Sequence, residues 1–142
     1  DVLVVPEGAI FNDFAQVVFP VDFEVTYDDN TLKKMAELII SEKTAIKLLY
    51  VTKSQISLLK QVKLQREQLI RRIATVLPNP ISFHRVVSKK VEEGILIFTK
   101  SVNADLIVMI SKDYGLLQKL FLDTTVEEVS FDTTIPLLSL QG

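Results

Sequence analysis

Apolar and polar positions along this 142-residue chain alternate between two periods. Short β-branched or aromatic runs read as strands: Val2–Val5 before Pro6, Gln16–Phe19 before Pro20, Ala45–Val51, Ile81–Val87, Asp105–Ile110 and Ile135–Leu140. Longer segments with a helical period lie between them. Asn30 or Thr31 is placed to cap a helix reaching about Glu42, with Leu32, Met35, Ala36, Ile39 and Ile40 on one face. Ser54 precedes a helix from Gln55 to about Val76 with Ile56, Leu59, Leu69, Ile70 and Ile73 as its stripe, stopped by Pro78. Ser88 is placed to cap a helix from Lys89 to Val102 whose Val91, Ile95 and Phe98 face inward, and residues 115–131 hold further helical material.

Strands separated by helices of ten or more residues lie parallel, because only a long crossover returns the chain to the same end of a sheet. Near-continuous apolar strands such as Leu106–Ile110 belong to a sheet covered on both faces. The pattern predicts a doubly wound α/β fold with ligands at the carboxyl ends of the strands, near Pro20–Asp22, Val51–Thr52 and Met109–Asp113. Val2–Val5 is surplus to that plan and mirrors Pro136–Leu140. It is expected to lie antiparallel against Pro136–Leu140, as the exit strand of a preceding domain. The expected division is therefore an exit strand and linker at 1–15 and one domain at 16–142.

Composition narrows the function classes. A net charge of −2 makes nucleic acid a poor partner. The absence of cysteine removes disulfides, thiolate metal sites and thiol nucleophiles, and a single histidine, His84, excludes a histidine-cluster metal centre. No apolar run approaches the roughly 20 residues that cross a bilayer. A cytoplasmic protein with no membrane partner is expected.

Individual chemistry-bearing residues have plain readings. Asp22, Asp28 and Asp29 suit turns and a helix cap better than a magnesium site. Lys60, Lys63, Arg66, Arg71 and Arg72 form a solvated basic face salted by Glu67. His84, on an expected edge strand, is an ordinary partly exposed histidine, and Thr125 with Glu128 has capping-box spacing. No base, nucleophile and anion hole assemble, so no enzyme is expected.

The order and spacing of VVFPVDF (17–23), KLLYVTK (47–53), NADLIVMISK (103–112) and LFLDTTVEEVSFDTTIPLLSL (120–140) resemble the universal stress protein family, in particular the carboxyl-terminal half of tandem two-domain members. The resemblance implies a five-stranded parallel sheet of order 3-2-1-4-5, counting Gln16–Phe19 as the first strand. ATP-binding members carry a glycine, two residues, a glycine, nine residues and then Gly-Ser/Thr after the fourth strand. Here Ile110, Asp113, Asp123 and Thr124 stand at those positions, so only the hydroxyl residue survives. Pro20, Asp22, Val51 and Met109 match the rest of the nucleotide site, and with Thr124 they form a vestigial half-site.

The resemblance thus implies a stress-response module with no cofactor. ATP or AMP is disfavoured, because a phosphate cradle needs bare main-chain N–H groups. The family's last strand implies pairing with a sister domain or a second copy through Val2, Val4, Pro136, Leu137, Leu138 and Leu140. The alternative is a sensor of a small ligand, or a weak sensor of adenine nucleotide, that uses the remaining half-site.

Overall fold

The computed structural model describes residues 2–5, 14–21, 27–38, 43–53, 60–110 and 135–140. The chain forms strands β1 (Val2–Val4) and β2 (Gln16–Pro20), helix α1 (Asp29–Leu38), strand β3 (Ala45–Thr52), helix α2 (Lys60–Val76), strand β4 (Ile81–Val87), helix α3 (Val91–Ser101), and strands β5 (Leu106–Ile110) and β6 (Leu137–Leu140). They make one sheet of order β1-β6-β5-β2-β3-β4. The five strands from β2 to β6 run parallel in the predicted 3-2-1-4-5 arrangement, and β1 adds an antiparallel strand outside β6.

Two apolar layers sandwich the sheet. Val17, Phe19, Ile46, Leu48, Leu106 and Val108 pack with Leu32 and Met35 of α1 and Leu69 and Ile73 of α2. Val18, Leu49, Ile107, Met109 and Leu137 pack on the other face with Ile95, Leu96 and Phe98 of α3. The consecutive residues Val17, Val18 and Phe19 are each 0% exposed, which is possible only where both faces are covered. That burial explains why the central strands carry no polar alternation.

The main-chain bonds fix how β1 is held. Ile107 N–H donates to the Pro136 carbonyl at 3.0 Å. In a parallel ladder alternate residues face the same neighbour, so Pro136, Leu138 and Leu140 turn their main-chain groups toward β5. Leu137 and Ser139 therefore turn theirs outward, opposite Val4 and Val2 of β1. The antiparallel pairing of these two segments is as the sequence predicts, and it occurs within a single chain.

Three local expectations are corrected. Helix α1 is capped by Asp28, not by Asn30 or Thr31. Asp28 Oδ1 accepts the Thr31 N–H at 2.8 Å and the Thr31 hydroxyl at 3.1 Å, and these bonds hold its carboxyl below the usual aspartate pKa. Ser88 does not cap α3: its hydroxyl donates to the Lys90 carbonyl at 2.8 Å, and Lys90, in extended conformation, occupies the cap position with no side-chain bond. Val91 is exposed at 37%, because the helix begins there and a first-turn residue has neighbours on one side only. Ile95 and Phe98 do face inward. The expected helical residues 39–42, 55–59 and 115–131 lie outside the described residues.

Helix α3 ends in a Schellman turn. Ala104 N–H reaches the Thr99 carbonyl at 3.1 Å and Asn103 N–H the Lys100 carbonyl at 3.2 Å, with Asn103 at a φ of +51°. Asparagine tolerates that left-handed conformation. The turn delivers Asp105 to the amino end of the sheet, where its Oδ2 accepts the N–H groups of Ala15 and Gln16 at 2.9 and 2.8 Å.

Candidate functional site

The carboxyl ends of β5, β2 and β3 stand side by side in the middle of the sheet. Met109, Pro20 and Val51 lie near those three ends. Val18, Leu49 and Ile107 belong to the α3 layer, so two residues further along each strand places Pro20, Val51 and Met109 on that same face. The structure thus brings together three of the five residues that the sequence assigns to a nucleotide half-site. Asp22 and Thr124, together with Asp113 and Asp123, lie outside the described residues.

Pro20 and Val51 offer an apolar floor that rests on buried Met109. Met109 is 3% exposed and belongs to the α3-side core, whereas Pro20 and Val51 are half-buried. Val51 is wedged against α3 at Gly94: a Cβ there would sit 2.7 Å from Val51 Cγ1 and 3.1 Å from Ser88 Cβ. Gly94 therefore lets the helix close down on the end of β3 and fixes where Val51 stands. The site prediction missed it, although a glycine inside the helical run VEEGILIF costs about 1 kcal/mol against alanine and so calls for a packing reason.

Ile110, where the first family glycine would stand, is the last residue of β5 and lies opposite Leu140 of β6. Its half-buried side chain packs against the core layer of α1 and α2. It is a strand residue with an apolar side chain.

Two described carboxylates that follow β2 are engaged in structure. Asp28 caps α1, and Asp29 accepts the Arg72 guanidinium at 2.8 Å. The same Arg72 nitrogen donates to the Tyr27 carbonyl, while the Tyr27 ring, 4% exposed, meets Phe19 edge-on at 5.7 Å. Arg72 thus ties α2 to the start of α1. Among the described residues no three metal-binding side chains gather. Of the other basic residues on α2, Arg66 lies over the Phe83 ring at 5.0 Å.

His84 sits on β4, which is an edge strand as expected, and its Nε2 is 2.8 Å from Ser82 Oγ. Its ring packs on Phe98 with centroids 5.0 Å apart. Partial burial, and then the charge of Lys47, push its pKa below the ordinary histidine value.

The residues assigned to domain pairing fall at the opposite side of the sheet. Pro136, Leu137, Leu138 and Leu140 are buried, with Leu137 and Leu140 at 0% exposure. Val2 and Val4 pair with Ser139 and Leu137, and Leu3 on β1 and Val5 just beyond it are exposed. No described helix is long and apolar enough to cross a membrane.

Five parallel strands in this order with helices on both faces define the class as a doubly wound α/β protein. Residues 14–140 match the universal stress protein family, and the chain belongs to that family. Solved structures agree in fold. A universal stress protein from Archaeoglobus fulgidus in complex with dAMP is 14% identical, with a TM-score of 0.66, 92% of this chain and 100% of that chain covered. A universal stress protein in complex with cAMP is 12% identical, with a TM-score of 0.65, 92% of this chain and 98% of the other covered. Another universal stress protein, from Archaeoglobus fulgidus DSM 4304, is 19% identical with a TM-score of 0.58; the match covers 91% of this chain but 44% of the longer one. No curated protein sequence matches.

Proposed function

We propose that this chain is a non-enzymatic stress-response module that does not hold ATP in its family's usual manner and acts through domain pairing or regulation. The observation that carries this is Ile110. Where a glycine would present its N–H to phosphate, a β-strand residue packs its side chain into the core. Each lost contact to a charged oxygen forfeits roughly 1.5–3 kcal/mol. Asp113 and Asp123 add negative charge at the other two glycine positions. An aspartate about 4 Å from a phosphate costs on the order of 1 kcal/mol even in water.

Domain pairing draws support from two facts. Strand β1 lies antiparallel on β6, as the exit strand of a preceding domain would, and a longer family structure is matched over only 44% of its length. A tandem arrangement accounts for both.

Thermal denaturation with and without Mg-ATP tests the main claim. No shift is expected, and a rise of several degrees at millimolar nucleotide overturns it. Restoring all three glycines (I110G/D113G/D123G) is expected to create a nucleotide-dependent shift that I110G alone does not.

A second function is favoured by the apolar floor of Pro20, Val51 and Met109. A flat base can lie there without a triphosphate cradle, and the family structures with dAMP and cAMP hold monophosphates. Calorimetric titration with AMP and cAMP decides it: saturable binding weakened by V51A supports a sensor, and no heat excludes one.

A further inference from the structure

The amino-terminal half of the sheet carries, on its α3 face, a group of donors that the proposed function does not use. Lys47 on β3 lies directly opposite Ser82 on β4 in the parallel register, and His84 lies two residues further along on the same face. Side chains of paired neighbours on one face stand about 5 Å apart at Cβ, so the Lys47 stem rises beside the Ser82 hydroxyl. That hydroxyl is 2.8 Å from His84 Nε2. All three residues are half-buried and open to water.

The charge around them has one sign. Lys47 makes no ion pair with any described carboxylate. Its field reaches His84 and acts with burial to disfavour the imidazolium. From α3 the neighbour of His84 is the uncharged Phe98 ring. Glu92 and Glu93 lie in the first turn of that helix, more than one turn before Phe98, and Lys100 lies in its last. On β4 itself, Arg85 projects to the opposite face, with Phe83. A lysine, a hydroxyl and an imidazole share one face of neighbouring strands with no described acid paired to the lysine, and an aromatic ring packs on the imidazole.

We propose that Lys47, Ser82 and His84 form a second binding site, for a small oxyanion: inorganic phosphate or the phosphate end of an ester. The site lies away from the carboxyl-end cleft and does not depend on what that cleft holds. Lys47 supplies the fixed charge, Ser82 donates its hydroxyl, and His84 takes up a proton to become a second cationic donor. The anion reverses the electrostatic cost of charging His84, so affinity falls as pH rises through the histidine pKa.

Because His84 is the single histidine, its ring gives one unambiguous pair of NMR signals. They are followed against pH in chloride, sulfate and phosphate at matched ionic strength, since screening alone moves a histidine. Sulfate keeps its full charge across the range and separates the anion's effect from its own titration. Saturable shifts are expected with both oxyanions, with the His84 pKa raised by about one unit. K47M is expected to abolish the saturable response and S82A to weaken it, while the backbone spectrum stays folded. K47Q provides the same test should the apolar variant fail to fold. Glycerol phosphate distinguishes the two sources: equal shifts assign the phosphate end of an ester, and shifts with inorganic anions alone assign a free ion. His84 signals that move identically in chloride and sulfate overturn the proposal, as does a response unaltered in K47M and K47Q.

Discussion

The two ends of this sheet are built differently. At the amino end, side chains tie separate segments together by hydrogen bonds. Asp105 holds the entry to β2 through two main-chain N–H groups. The Thr44 hydroxyl donates to the Phe14 carbonyl, and buried Asn79 donates its amide to the Thr44 carbonyl at 3.0 Å. Near the carboxyl end the strands carry the apolar side chains of Pro20, Val51, Met109 and Ile110, with Met109 buried and the others half-buried. Polar side chains at the amino end are consumed in fixing the fold. The carboxyl end keeps its shape by packing, and it is the end at which open α/β sheets bind ligands.

Substitutions at the two ends should therefore separate stability from ligand response. The largest effect is expected from M109A. It empties a 3%-exposed position in the core and should cost about 3 kcal/mol, read as a lower urea midpoint at unchanged slope. It should also weaken whatever adenine-nucleotide binding the wild type shows. D105A should cost about 2 kcal/mol, because two main-chain donors lose a carboxylate acceptor, and should leave any nucleotide response intact. A D105A variant that alters nucleotide binding while M109A does not would break the division between the ends.

G94A sharpens the comparison at one contact. The added methyl meets Val51 Cγ1 at 2.7 Å, so overpacking of about 1–3 kcal/mol competes with a helix-propensity gain of about 1 kcal/mol. A net loss of about 1 kcal/mol is expected, and V51A in the same chain should recover part of it. Additive effects in that double-mutant cycle would show that Gly94 does not set the position of Val51.

The smallest effects are read by pH. Asp28 has a folded pKa below its unfolded value, so its contribution is present above about pH 4 and is lost as pH falls through the folded value. D28A should flatten that part of the stability profile. His84 is also shifted downward, so the unfolded state binds more protons just below pH 6.5, and stability should decline as pH falls from there toward the folded value. H84F should remove that decline.

Much of the fold is legible in the residues because the information is local or repeats along the chain. The bounds of β4 and the buried stripe of Leu69 and Ile73 on α2 follow from periodicity alone. So does the surplus strand at Val2–Val4, whose likeness to Pro136–Leu140 anticipates its antiparallel place. The glycines missing after β5 are visible without coordinates. Other features depend on what meets what across the chain. Arg72 meets the Tyr27 carbonyl and Asp29 only because α2 packs beside the start of α1. Gly94 matters only because Val51, brought up by another strand, leaves no room for a methyl group. Lys47, Ser82 and His84 become neighbours only when β3 and β4 align in register. Patterns of hydrophobicity specify which face of an element is buried, but a contact between elements exists only after packing has chosen its partners, and that choice belongs to the tertiary structure.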